Sequence, residues 1–79
     1  MKKFKEGMVV RYSMLYGGMV TAKVTKVTDT EVVLTENWLA EDTLETVSKN
    51  TTHEKYSDEY GEYIVTWEYQ EYKGKAYAS

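Results

Sequence analysis

The chain contains no cysteine and no proline, and its five glycines are scattered along 79 residues. Without thiols there is no disulfide framework, no thiolate zinc site and no cysteine nucleophile, so aliphatic and aromatic side chains alone must build the core. A reducing compartment suits such a chain, and the cytoplasm is the expected location. Nowhere do about 18 apolar residues run together, as a membrane-spanning helix requires. Lys2, Lys3 and Lys5 are followed by Arg11 and polar residues instead of the apolar run of an export signal. Neither a Walker-type lysine loop nor a Gly-x-Gly-x-x-Gly element is present to cradle phosphate.

Candidates for chemistry are equally sparse. His53 is the one histidine, the side chain whose ordinary pKa lies nearest neutrality. Thr51, Thr52 and Glu54 around it read as a polar loop, which makes His53 a solvated residue. A metal site built from His53 with Glu54 or Asp58 would lack a second histidine and any recognised ligand spacing. Among the many carboxylates, no pair is set apart in the apolar context that acid–base catalysis needs. The sequence therefore assigns no catalytic residue, metal ligand or cofactor, and a non-enzymatic protein is expected.

What is present favours strands. Threonine, valine and eight tyrosines suit a pleated, half-buried surface. Residues 8 to 16 alternate at period two, with Met8, Val10, Tyr12, Met14 and Tyr16 on one side. Gly17-Gly18 reads as a hairpin turn, since both residues reach positive φ without a Cβ penalty. Val20, Ala22 and Val24 alternate with Thr21, Lys23 and Thr25 in the next strand, and the apolar phase then slips to Val27, which predicts a bulge or a strand end. Thr28-Asp29-Thr30 turns the chain into a third strand over 31 to 36. Leu44 and Val47, with a capping-box spacing between Asp42 and Glu45, predict a short helix over 42 to 48, although Thr43, Thr46 and Val47 are weak helix formers and an extended segment competes. Residues 50 to 61 read as a loop. Residues 62 to 72 form a long strand with Tyr63, Val65, Trp67 and Tyr69 on one face and Ile64 on the polar one. Lys73-Gly74 then reads as a turn into a short edge strand.

The expected fold is one mainly β domain over 1–79, a small antiparallel curled sheet or barrel of about five strands. Tyr63, Val65, Trp67, Val20, Val24 and Leu34 are expected in its core, and Tyr56, Tyr60, Tyr72 and Tyr77 at its surface. A core of this size supplies only about 3–5 kcal/mol, so a homodimer would add useful buried area. The segment Gly7-Met8-Val9-Val10 and the Val20 to Leu34 hairpin resemble the opening of SH3-like barrels over residues 4 to 36. The tight Gly17-Gly18 turn departs from that family, and the resemblance transfers no functional residue.

Charge divides along the chain. Residues 1 to 35 hold six basic and three acidic groups, a net +3, while residues 36 to 79 hold ten acidic and four basic groups, a net −6. Alternate residues of a strand stand roughly 6.8 Å apart, comparable to successive phosphates, so a carboxylate-lined face can occupy a basic DNA-binding groove. The acidic contact surface is assigned to Glu41, Asp42, Glu45, Asp58, Glu59, Glu62, Glu68 and Glu71, with Tyr60. In size, lack of cysteine and acidic second half the chain resembles small phage-encoded host-takeover proteins, some of which mimic DNA. That resemblance implies inhibition or modulation of a basic, nucleic-acid-binding host protein. The alternative is a nucleic-acid-binding module using Lys2, Lys3, Lys5, Arg11, Lys23 and Lys26 with Tyr12, Tyr16 and Trp38.

Overall fold

Strict alternation of small or β-branched residues with polar ones makes residues 19 to 27 a strand wet on one side, and the rest of the fold is laid beside it. A computed structural model describes residues 2–40 and 45–78. Among them are strands β1 (Val9–Ser13), β2 (Met19–Val27), β3 (Glu31–Ala40), β4 (Glu45–Glu54), β5 (Tyr56–Asp58), β6 (Gly61–Tyr69) and β7 (Tyr72–Tyr77), and no helix. They form two antiparallel sheets, β1-β2-β3-β4 and β5-β6-β7, that do not close into a barrel. The mainly β reading holds. Seven strands replace the expected five because β4 and β5 arise where a helix and a loop were expected.

The first half follows the sequence closely. Gly17 and Gly18 both take positive φ, at 91° and 82°, and β1 pairs back onto β2 from Ser13↔Met19 to Val9↔Lys23. The phase slip after Val24 is a bulge: Val24 pairs with Leu34 and Lys26 with Val33, leaving Thr25 over. Val27 is thereby turned to the side of Val24, where it packs against the core. Phe4, Val10, Tyr12, Val20, Ala22, Val24, Val32 and Leu34 form the buried layer of this sheet.

Residues 45 to 48 are strand, not helix; residues 42 to 44 of the expected helix lie outside the described residues. Pairing decides the matter, since β4 runs antiparallel to β3 from Ala40↔Glu45 to Glu31↔Glu54. β-branched Thr46 and Val47 lose less side-chain freedom in that ladder than in a helix. Residues 50 to 54 continue the same strand, so the expected loop shrinks to a corner at Lys55 and a turn at Glu59-Tyr60. Polar composition misled there because the half-buried positions, Thr51 and His53, are themselves polar, and Glu45 to Asn50 before them are all exposed, so the strand carries no hydrophobic alternation.

The second sheet covers the first with Ile64, Ala76 and Ala78. Here the expected faces are reversed at Tyr63, Ile64 and Val65. Ile64 is fully buried, while Tyr63, Val65 and Trp67 are only half-buried. Ile64 takes the inner phase with its partner Ala76, which turns Tyr63 and Val65 outward, and a second bulge follows them. Val65 pairs with Lys75 and Trp67 with Gly74, leaving Thr66 unmatched, so Trp67 falls on the side of Ile64 instead of that of Val65. Gly74 is accordingly no turn residue. The turn lies at Gln70-Glu71, with Gln70 at φ 56°, and a Cβ on Gly74 would collide with Nε1 of Trp67. The indole rests on the bare glycine backbone, a space that any larger residue would fill.

Glu62 ties the two sheets to the amino-terminal segment. Its carboxylate accepts the Phe4 backbone N–H at 2.9 Å and pairs with Lys55 at 3.4 Å, both side chains being largely buried. Its backbone N–H donates to the carbonyl of Lys2, and its carbonyl accepts the N–H of Ala78. Lys55 in turn donates its backbone N–H to Thr30.

Two substitutions distinguish this arrangement from the period-two reading of β6. Ile64→Ala should cost about 2–5 kcal/mol in denaturant unfolding, as a buried aliphatic truncation does, whereas Val65→Ala should cost about 1 kcal/mol or less. Equal losses at the two positions would contradict the burial of Ile64 in place of Val65.

Candidate binding face

Because Ile64 and Ala76 point into the core, Tyr63 and its cross-strand partner Tyr77 point out. Tyr56 stands opposite Tyr63 on the other side. The three rings form a continuous row: Tyr56 stacks on Tyr63 with centroids 5.6 Å apart, and Tyr63 meets Tyr77 at 5.2 Å. Tyr60, in the β5–β6 turn, packs edge-on against Tyr77 at 6.1 Å. Lys75 extends over Tyr63, its Nζ 4.5 Å from the ring centroid. Such ring pairs contribute about 0.5–1.5 kcal/mol each beyond the area they bury, which fixes the rotamers of the row before anything binds.

Carboxylates sit among these hydroxyls. Tyr77 donates to Asp58 at 2.7 Å and Tyr56 donates to Glu54 at 2.8 Å. Asp58 also accepts the backbone N–H of Tyr60 and lies 3.8 Å from Lys75. These bonds favour its ionised form, the Tyr77 hydroxyl most of all, and hold the Asp58 carboxyl below the usual range. The same bond pushes Tyr77 up to about 12. Tyr56 is raised as well, first by its bond to Glu54 and also by the charge of Glu68.

The acidic residues singled out from the sequence separate into distinct environments. Asp58, Glu59 and Tyr60 come together at the end of the tyrosine row, Glu59 exposed and Tyr60 70% exposed. Glu62 is turned into the structure by Lys55 and Phe4. Glu68 lies on the outward phase of β6, 3.8 Å from Lys73, and Glu71 is exposed in the β6–β7 turn. Glu45 is exposed at the start of β4 in the other sheet. Glu41 and Asp42 lie outside the described residues. Tyr77, expected at the surface, joins this face; Glu54, Tyr63 and Lys75 belong to it although nothing in the sequence marked them for it, because only strand register brings them together.

The basic set is differently disposed. Lys2, Lys3, Lys5, Arg11, Lys23 and Lys26 are exposed. Tyr12, however, is buried in the core and donates a short hydrogen bond to buried Glu36. Burial first, and that bond second, raise its pKa. Tyr12 is therefore no stacking platform, whereas Tyr16 is almost fully exposed in the β1–β2 turn. The backbone of Trp38 lies in β3 opposite Val47. His53 is not in a loop: it lies in β4 opposite buried Val32, half-buried and sharing a 3.0 Å hydrogen bond with Thr51. Comparison with protein-family models, curated proteins and solved structures finds no match.

The Tyr77–Asp58 bond should be visible in titrations at both ends of the pH scale. The carboxylate contribution to stability is lost as pH falls through the lowered pKa of Asp58; the tyrosine contribution is lost as pH rises from 10 towards about 12. In Tyr77→Phe, the Asp58 carboxyl followed by NMR should titrate at higher pH than in the parent protein, nearer 3.8. An unchanged Asp58 titration would show that the bond does not form in solution.

Proposed function

We propose that the chain is a non-catalytic interaction protein that binds a basic, nucleic-acid-binding protein and inhibits or modulates it. The contact surface in this reading is the tyrosine row on the outer face of β5-β6-β7 with the acidic turn beside it. The observation that carries the reading is four tyrosines in mutual ring contact on a face turned away from the core, with Asp58, Glu59 and Glu68 around them. Tyrosine is enriched at interfaces because it buries a large ring at small entropic cost and keeps a polar end. Carboxylates beside the rings supply attraction to a positive groove and steer the encounter.

DNA mimicry takes a particular form here. Glu62 is engaged internally, and Asp58 and Glu68 already have lysines nearby, so the acids do not make an unbroken phosphate-like ladder. They border flat π faces instead, much as phosphates border bases. The nucleic-acid-binding alternative is weakened by the loss of Tyr12 to the core, and the same assay separates the two.

With the chain as bait, basic DNA-binding proteins should be captured at about 50 mM salt and released towards about 200 mM, as the screening length shortens. The chain should displace such a protein from a DNA probe without shifting the probe itself. Tyr60→Ala should weaken capture roughly tenfold while costing only about 1 kcal/mol in unfolding, the loss of its ring contact with Tyr77. Salt-independent capture, or a direct shift of the probe, would overturn the reading.

A further inference from the structure

Where β4 turns away from β6, the two strands bound an open groove of about 270 Å³. Tyr56 and Trp67 supply aromatic surface, Glu54 and Glu68 supply carboxylates, and His53 and Val65 are among the remaining walls. Among the described residues no lysine or arginine lines it. Trp67 is held at this position by its seat on Gly74, and Tyr56 by its stack on Tyr63 and its hydroxyl bond to Glu54. The rings are ordered before any ligand arrives, which lowers the entropic cost of binding.

A ring face attracts a cation through its quadrupole, most strongly when the cation is poorly hydrated. Adjacent carboxylates add to that attraction. The same fold already makes such a contact next door, with Lys75 over Tyr63. Hard metal ions are a poorer match, since His53, Glu54 and Glu68 do not gather as a group of metal ligands. Lys73 contacts Glu68, but at 3.8 Å and with both side chains more than half exposed, a pair weak enough to be exchanged.

We propose that the groove between β4 and β6 is a binding site for an alkylammonium group, the head of a lysine side chain, free or N-methylated. That this lysine is carried by a basic protein rests on the function proposed above; recognition of the ammonium group does not.

The test is an NMR titration of the full chain at constant ionic strength with tetramethylammonium chloride and n-butylammonium chloride. Saturable shifts are expected at the Trp67 indole N–H and the Tyr56 ring. tert-Butanol, close in shape to tetramethylammonium but neutral, should produce none at the same concentrations. Glu54→Gln combined with Glu68→Gln should weaken cation binding about fivefold or more. Tyr56→Leu should abolish it, while Tyr56→Phe, which keeps the ring and its stack, should retain it. Equal shifts with tert-butanol, no saturable shift with either cation, or binding unchanged in the double carboxylate variant would overturn the proposal. No partner protein takes part in this titration, so a failure to capture basic proteins would defeat the function proposed above and leave the groove site standing.

Discussion

At Thr66, β6 carries one residue more than β7 can pair, and the two faces of the second sheet exchange their occupants at that point. On the Ile64 side of the bulge, alternation buries Ile64 and Ala76 and turns Tyr63, Tyr77 and Lys75 outward. On the far side, Trp67 is brought to the inner phase and laid on Gly74, while Glu68 takes the outward one. Without the extra residue, Trp67 would join Tyr63 and Val65 on one surface. Gly74 would then have no ring to accommodate. The seat of Trp67 on Gly74 and the outward turn of Glu68 thus rest on one backbone irregularity, which is the kind of device bulges provide where a side chain must be re-aimed.

Electrostatics on this sheet is arranged in close pairs instead of a broad field. Asp58 is surrounded by Tyr77, the Tyr60 backbone and Lys75, and Glu54 is taken up by Tyr56. Glu62 serves the fold, linking the amino-terminal segment to the corner at Lys55. Exposed charge of a single sign is left mainly at Glu59 and Glu71, at the two turns of the sheet. Aromatic surface with a charged rim therefore describes the face better than an acidic patch does. The acidic half seen in the sequence is a set of separate roles.

The first sheet was legible because its signals are local. Val20, Ala22 and Val24 alternate without interruption, Gly17-Gly18 supplies two positive-φ residues, and the displaced Val27 records the bulge at Thr25. The second half was less legible for a physical reason in each case. β4 is wet on both faces near its start, so register with β3, which no local pattern encodes, makes it a strand. Gly74 has the composition of a turn but is required for close approach of Trp67, while the true turn uses Gln70 in a left-handed conformation. In β6 a hydrophobic residue occurs at almost every position from Tyr63 to Trp67, and period two cannot choose between the faces once a bulge intervenes. Tyr60 and Tyr77 were recognisable as surface rings; Tyr63 was not, since its outward position depends on the burial of Ile64 and Ala76.

The seat of Trp67 on Gly74 can be read directly. In a folded sample the α-protons of Gly74 should be shifted strongly upfield by the indole ring current and should show nuclear Overhauser contacts to the Trp67 ring. Unshifted Gly74 α-protons, with Trp67 contacts to Tyr63 and Val65 instead, would contradict the bulge at Thr66 and with it the placement of Trp67 on the inner phase and Glu68 on the outer one.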